Sequence, residues 1–192
     1  MIRRKIKLFL FFSAVFISAI ALFCVFFDEA VLVRKGTVYR NHIEDKVVAL
    51  TFDDGPSPLW TPKILDELRR LDIKATFFMI GEQVEKYPEV ARRVAAEGHE
   101  IENHSYDHHV LIYYKMPELE AEVKDAEKAI WDITGRRTHY FRPPKSWLRH
   151  KEKIKIKQMG YEVVLWSLNS KDWVNFPAWY IVRYILRRMR PG

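Results

Sequence analysis

The chain opens on a run without a charge, LFLFFSAVFISAIALFCVFF at 8–27. It then alternates short apolar runs with longer segments whose apolar residues recur at helical spacing. VVALTF at 47–52 predicts a buried strand. TPKILDELRRL at 61–71 predicts a helix, with Thr61 as its cap and Pro62 at the first helical position. Ile64, Leu65, Leu68 and Leu71 share one of its faces. KATFFMIG at 74–81 reads as a second strand, PEVARRVAAEG at 88–98 as a helix stopped by Gly98, and HEIEN at 99–103 as a short third strand. Over 117–135, Leu119, Val123, Ala126 and Ile130 repeat as on a helix. A strand at 138–142, a Lys-rich helix near 149–158, a strand at 161–167 and a helix over 177–190 complete the strand–helix units. Such alternation predicts an α/β fold, a parallel sheet or barrel with helices outside, whose reactive groups gather at the carboxyl ends of the strands. These units are too few to close the usual barrel, and a last helix ending in RPG would normally feed another strand. The chain is therefore expected to lack a C-terminal piece.

The uncharged run is long enough to cross a bilayer, and Arg3, Arg4, Lys5 and Lys7 before it favour a cytoplasmic start. The expected organisation is a cytoplasmic basic segment at 1–7, a transmembrane signal anchor at 8–27, a linker at 28–45 and an extracytoplasmic domain at 46–192. A cleaved signal peptide competes with the anchor, since Ala19 and Ala21 are spaced like a cleavage site, although the apolar run continues past them. Cys24 is the only cysteine, which excludes an intrachain disulfide and a Cys-based metal site. At 192 residues with 48% apolar and 14% aromatic content, one domain with a real core is expected, not a disordered chain. Of the formal charge of +7, residues 1–28 hold +3. The remaining excess suits an anionic polymer, but no nucleic-acid motif accompanies it, and neither nucleic acid nor a protein partner is predicted.

Asp53 and Asp54 end the first predicted strand ahead of Gly-Pro. A turn is one reading, because these are ordinary turn residues; a site that needs both charges is the other. Four of the 7 histidines, His99, His104, His108 and His109, fall just after the third strand begins. A pair four apart, such as His104 and His108, serves as surface or cap chemistry in many chains. Joined to a carboxylate at a neighbouring strand end, it is also a common divalent-metal set with positions left open. A bound cation would offset the repulsion between adjacent carboxylates, letting one ligate while the other stays free as a base.

TFDDGP, HSYDH, FRPP and WSLNSKDW, in this order and at these separations, resemble the successive motifs of the polysaccharide deacetylases (carbohydrate esterase family 4, the chitooligosaccharide deacetylase homology domain). The resemblance covers about residues 46–192. It implies a deformed (β/α) barrel, here without its last strand or strands. It also implies hydrolysis of N- or O-acetyl groups on peptidoglycan, chitin, xylan or related glycans, with a divalent metal that is often zinc and otherwise cobalt, nickel or manganese. Position by position, Asp54, His104 and His108 resemble the metal ligands, and Asp53 the general base acting on water at the metal. Arg142 resembles the residue that orients that base, and the backbone N–H of Lys145 a donor to the oxyanion. Trp173 resembles a wall of the acetate pocket, with an ordinary core indole as the alternative. Pro143, beside Arg142, and Trp147, near the expected cleft, are candidates for substrate contact.

The sequence also departs from the family pattern. Lys145-Ser146 stand where the family often has Tyr-Gly, and Asn169 where many members have an Asp that orients a general-acid histidine. None of His42, His99, His109, His139 or His150 occupies the place of that histidine, so no general acid is expected in this chain. The leading expectation is a membrane-anchored, metal-dependent deacetylase of a cell-wall N-acetylglucosamine polymer. The alternative is a catalytically impaired glycan-binding or vestigial module. A metal phosphoesterase has compatible ligands, but no phosphate-binding loop is present. RHKEKIKIK at 149–157 suits either an anionic wall polymer or a solvated helix face, and Trp131 and Trp179 are expected to pack.

Overall fold

The computed structural model describes residues 2–26, 34–41 and 45–190. They form two compact units, one within 1–31 and 168–189, the other within 32–167 together with Arg190. The larger unit is built on a five-stranded sheet of β1 (Thr51–Gly55), β2 (Thr76–Met79), β3 (Glu100–Asn103), β4 (Tyr140–Phe141) and β5 (Glu162–Val163). The strands are parallel and lie side by side in chain order. The expected α/β class and parallel sheet are therefore present. Right-handed crossovers that add each strand on the same side place the connecting helices on one face. That is the winding of a barrel and not of a doubly wound sheet.

In chain order the helices are α1 (Ile2–Phe26), α2 (Thr61–Arg70), α3 (Gly81–Lys86), α4 (Pro88–Ala96), α5 (Met116–Thr134), α6 (His150–Gln158) and α7 (Ala178–Arg188). Phe77 and Met79 of β2 and Ile101 of β3 pack with Leu65 and Leu68 of α2, Val94 of α4 and Ile130 of α5. A second cluster joins Leu119 and Val123 of α5 to Phe141 of β4, Ile156 of α6 and Val163 of β5. The periodic positions of α5 are all fully buried, with Ile130 in the first cluster and Leu119 and Val123 in the second, which makes this helix the spine of the unit. Burying each such side chain contributes about 1.5–3 kcal/mol.

Several local expectations need correction. β1 starts at Thr51, not at residue 47, and Val47, Val48 and Leu50 are exposed. Among the described residues β1 is an edge strand paired to β2 alone, so these positions have no neighbour to bury them. Its register shifts between Phe52 and Gly55, a bulge that carries Asp53 and Asp54. The cap of α2 is Trp60; Thr61 lies inside the helix, where its hydroxyl accepts the Ser57 N–H at 2.9 Å. Residues 27–33 and 42–44, which include His42 and part of the expected linker, lie outside the described residues. Within the same linker Val38 bridges Val164, accepting the Leu165 N–H at 2.8 Å. Trp131 does not pack as expected: it is 47% exposed, with the Arg137 guanidinium over its ring.

In the smaller unit, α7 forms within the expected 177–190 and leaves Trp179 67% exposed, again against the expectation of packing. The transmembrane anchor must also be corrected. Among the described residues no helix is long and apolar enough to cross a membrane. The anchored location and the membrane partner inferred for residues 8–27 fall with it.

Candidate metal centre

The carboxyl end of β1 and the loops leaving β3 and β4 supply the residues of the centre. Within the β1 bulge Asp54 takes a left-handed backbone, φ 65°. His104 follows β3 directly, and the loop then turns at Ser105 (φ 65°) and His108 (φ 63°) to bring the second imidazole back. The Nε2 atoms of His104 and His108 lie 3.1 and 3.0 Å from the same oxygen of Asp54. All three ligand atoms lie within 4.8 Å of one another.

The tautomer of His104 follows from its surroundings. This ring is buried, and its Nδ1 is 2.7 Å from the carbonyl oxygen of Arg142. A carbonyl can only accept, so Nδ1 carries a proton and donates it, and in the neutral ring Nε2 presents its lone pair to Asp54. A lone pair and a carboxylate oxygen facing each other call for a cation between them. One carboxylate and two imidazoles are a donor set that suits a divalent transition metal. The two imidazoles beside it hold the Asp54 carboxyl well below the usual carboxylate range, against the opposing effect of burial.

Asp53 has a different partner. Nη1 of Arg142 donates to its Oδ1 at 2.7 Å and to Oγ1 of Thr51 at 2.8 Å. The guanidinium is buried, 3.9 Å above the Phe78 ring and 5.9 Å from the centroid of Trp166. Burial lowers the Arg142 pKa, and the Asp53 carboxylate works against that shift.

Beyond Arg142, buried Pro143 leads into a turn in which Lys145 and Ser146 are both left-handed, at φ 53° and 59°. The turn is closed by Ser146 N–H to Pro143 O at 2.9 Å and Trp147 N–H to Pro144 O at 3.3 Å. Trp147 remains 46% exposed beside it. Trp173 belongs to the smaller unit, where it is 62% exposed near Lys171. Asn169 accepts the Lys171 N–H of its own turn. His109 pairs with Asp107, and His99 is buried beside Ala75, so neither joins the triad. The sequence reading missed Thr51 and Phe78, the groups that seat Arg142. Thr51 stands two residues before Asp53, the spacing that puts side chains on one face of a strand, and that signal could have found it.

A polysaccharide deacetylase family profile matches residues 40–164. A peptidoglycan-N-acetylglucosamine deacetylase of Bacillus cereus is 37% identical over 145 residues, which is 76% of this chain and 53% of that protein. The peptidoglycan-N-acetylmuramic acid deacetylase PdaC of Bacillus subtilis is 39% identical over 161 residues, 84% of this chain and 33% of that protein. The chain thus spans about half the length of the first relative and a third of the second. Among solved structures, a peptidoglycan N-acetylglucosamine deacetylase superposes with a TM-score of 0.80 at 34% identity, covering 83% of this chain and 75% of that one. A family 4 pseudoenzyme from Bacillus anthracis superposes at 0.77 with 25% identity, over 81% of this chain and 56% of that one.

Proposed function

Because the chain belongs to the polysaccharide deacetylase family, we propose that it hydrolyses N-acetyl groups on a cell-wall polysaccharide, with the aminosugars of peptidoglycan as the first candidate and O-acetyl esters as competitors. The substrate class rests on what the relatives are named for. The observation that carries the reading is the convergence of Asp54, His104 and His108 beside an Asp53 held by a buried arginine.

Asp54, His104 and His108 would hold a divalent cation, zinc first among the candidates, which when bound polarises an acetyl oxygen and makes a water more acidic. Arg142 fixes one oxygen of Asp53 and leaves the other for the proton of the attacking water. The water oxygen bonds to the acetyl carbon, the carbon–nitrogen bond breaks, and the amine leaves with a proton taken from a solvent water. The Lys145 backbone N–H is assigned to the developing oxyanion, and Pro143 and Trp147 to the substrate cleft.

A second reading, a glycan-binding module without turnover, is favoured by Asn169, an amide at a place where the family resemblance implies a carboxylate. Acetate release from acetylated glucosamine oligomers, with zinc or cobalt present, separates the two. Release that falls about 100-fold or more in Asp53→Asn and is lost in Asp54→Ala supports the deacetylase. Oligomer binding with no acetate released by the wild type supports the second reading, and release unchanged in Asp53→Asn overturns the assignment of the base.

A further inference from the structure

The loop that carries His104 and His108 must hold two left-handed residues, Ser105 and His108. Such conformations cost a residue with a side chain on the order of 1–2 kcal/mol each and persist where the surroundings fix them. Some of that fixing comes from the loop's own start. Asn103 accepts the Ser105 N–H at 3.0 Å, and Ser105 Oγ accepts the His108 N–H at 3.1 Å. The loop carbonyls are held from outside by α3, whose Gly81 and Glu82 N–H groups donate to Ser105 O and Tyr106 O, both at 3.0 Å. The amides are held by a single atom. Oε2 of Glu122 accepts the N–H of Tyr106 at 2.9 Å and that of Asp107 at 3.0 Å.

Glu122 stands on α5, next to Val123, whose carbonyl accepts from Asn103 Nδ2 at 2.8 Å. That helix is fixed in both core clusters. The two captured amides lie between the two imidazoles in sequence, so their position sets how far apart His104 and His108 can stand.

We propose that Glu122 is a positioning residue of the metal centre: by capturing the Tyr106 and Asp107 amides on one oxygen it transmits the rigidity of α5 to the spacing of His104 and His108. The proposal rests in part on the metal reading above. Its mechanical core, amide capture, can be tested without metal. A glutamine at 122 keeps a carbonyl oxygen for both amides. Alanine removes it, and aspartate keeps the charge but retracts it by one methylene.

The experiment compares the full chain with Glu122→Gln, Glu122→Ala and Glu122→Asp by hydrogen exchange without metal and by zinc titration with cobalt absorption as a second readout. In Ala and Asp the Tyr106 and Asp107 amides should exchange about tenfold or more faster, with the β-sheet amides unchanged and Gln close to wild type. Zinc affinity should fall about 10–100-fold in Ala and Asp and stay within about threefold in Gln, with the cobalt spectrum altered only in the first two. Wild-type exchange in Glu122→Ala overturns the proposal. So does a Gln variant as impaired as Ala, because charge and not amide capture would then be the cause. A wild-type chain that takes up no zinc or cobalt counts against the metal reading, and the exchange comparison then decides the role of Glu122 alone. If Glu122→Ala does not fold, the Gln and Asp pair decides it.

Discussion

Asp53 and Asp54 can stand next to each other because their partners differ: a buried guanidinium for one, two imidazoles for the other. Residue types alone left a turn open here, and it was the family resemblance that pointed to these partners. Phe78 beneath Arg142 was not legible, because a phenylalanine in an apolar strand gives no sign that it seats an arginine. Glu102 escaped notice for a similar reason. It is 1% exposed and accepts the N–H groups of His139 and Tyr140 at 2.8 and 2.7 Å, tying β3 to β4. Burial pushes its carboxyl from an ordinary 4.5 up to about 7, against those two hydrogen bonds. Between these values the native state holds the proton more tightly than the unfolded chain. The stabilising effect of that proton is therefore complete below about pH 4.5 and is lost as pH rises through about 7. Glu102→Gln keeps the acceptor and removes the titration. Thermal melts should show the variant matching wild type near pH 4.5 and exceeding it by about 1–3 kcal/mol at pH 8. A gap independent of pH would refute this.

At the scale of elements, reading succeeded where a period had room to repeat. α2 and α5 formed where their apolar spacing placed them, and Leu119, Val123, Ala126 and Ile130 are all fully buried, but α2 ends at Arg70 and leaves Leu71, expected on its apolar face, 52% exposed. Where no period exists the reading missed α3, which spans only Gly81–Lys86, and overran β4 and β5, which are two residues each within the expected 138–142 and 161–167. At 47–50, the apolar run read as buried is exposed on an edge, since hydrophobicity alone does not say which strand has a neighbour. Gly81 shows what α3 contributes. A Cβ there would meet Tyr106 Cδ2 at 2.6 Å and Ala126 Cα at 2.8 Å, so α3, α5 and the histidine loop meet at a point with no room for a methyl group. Gly81→Ala should destabilise the chain by about 1–3 kcal/mol through overpacking, visible as a lower denaturant midpoint. An unchanged midpoint would show that Tyr106 and α5 yield freely.

For the whole molecule, motifs far apart in sequence could be read as one site because a parallel sheet delivers the ends of β1, β3 and β4 to the same side. The uncharged run at 8–27 misled at this scale, since no helix among the described residues is long and apolar enough to cross a membrane. Metal binding should appear as a property of the entire fold, since a ligand held only by the native state stabilises all of it. Zinc at about 100 times its dissociation constant should add about 2.7 kcal/mol. That gain should disappear in His104→Ala. Equal zinc shifts in wild type and His104→Ala would place the ion elsewhere.

Arg142 grips His104 with its main-chain carbonyl and Asp53 with its side chain. Every amino acid has that carbonyl, but only arginine offers this guanidinium. A single codon change can therefore release Asp53 while His104 stays fastened, whereas no substitution at this position does the reverse.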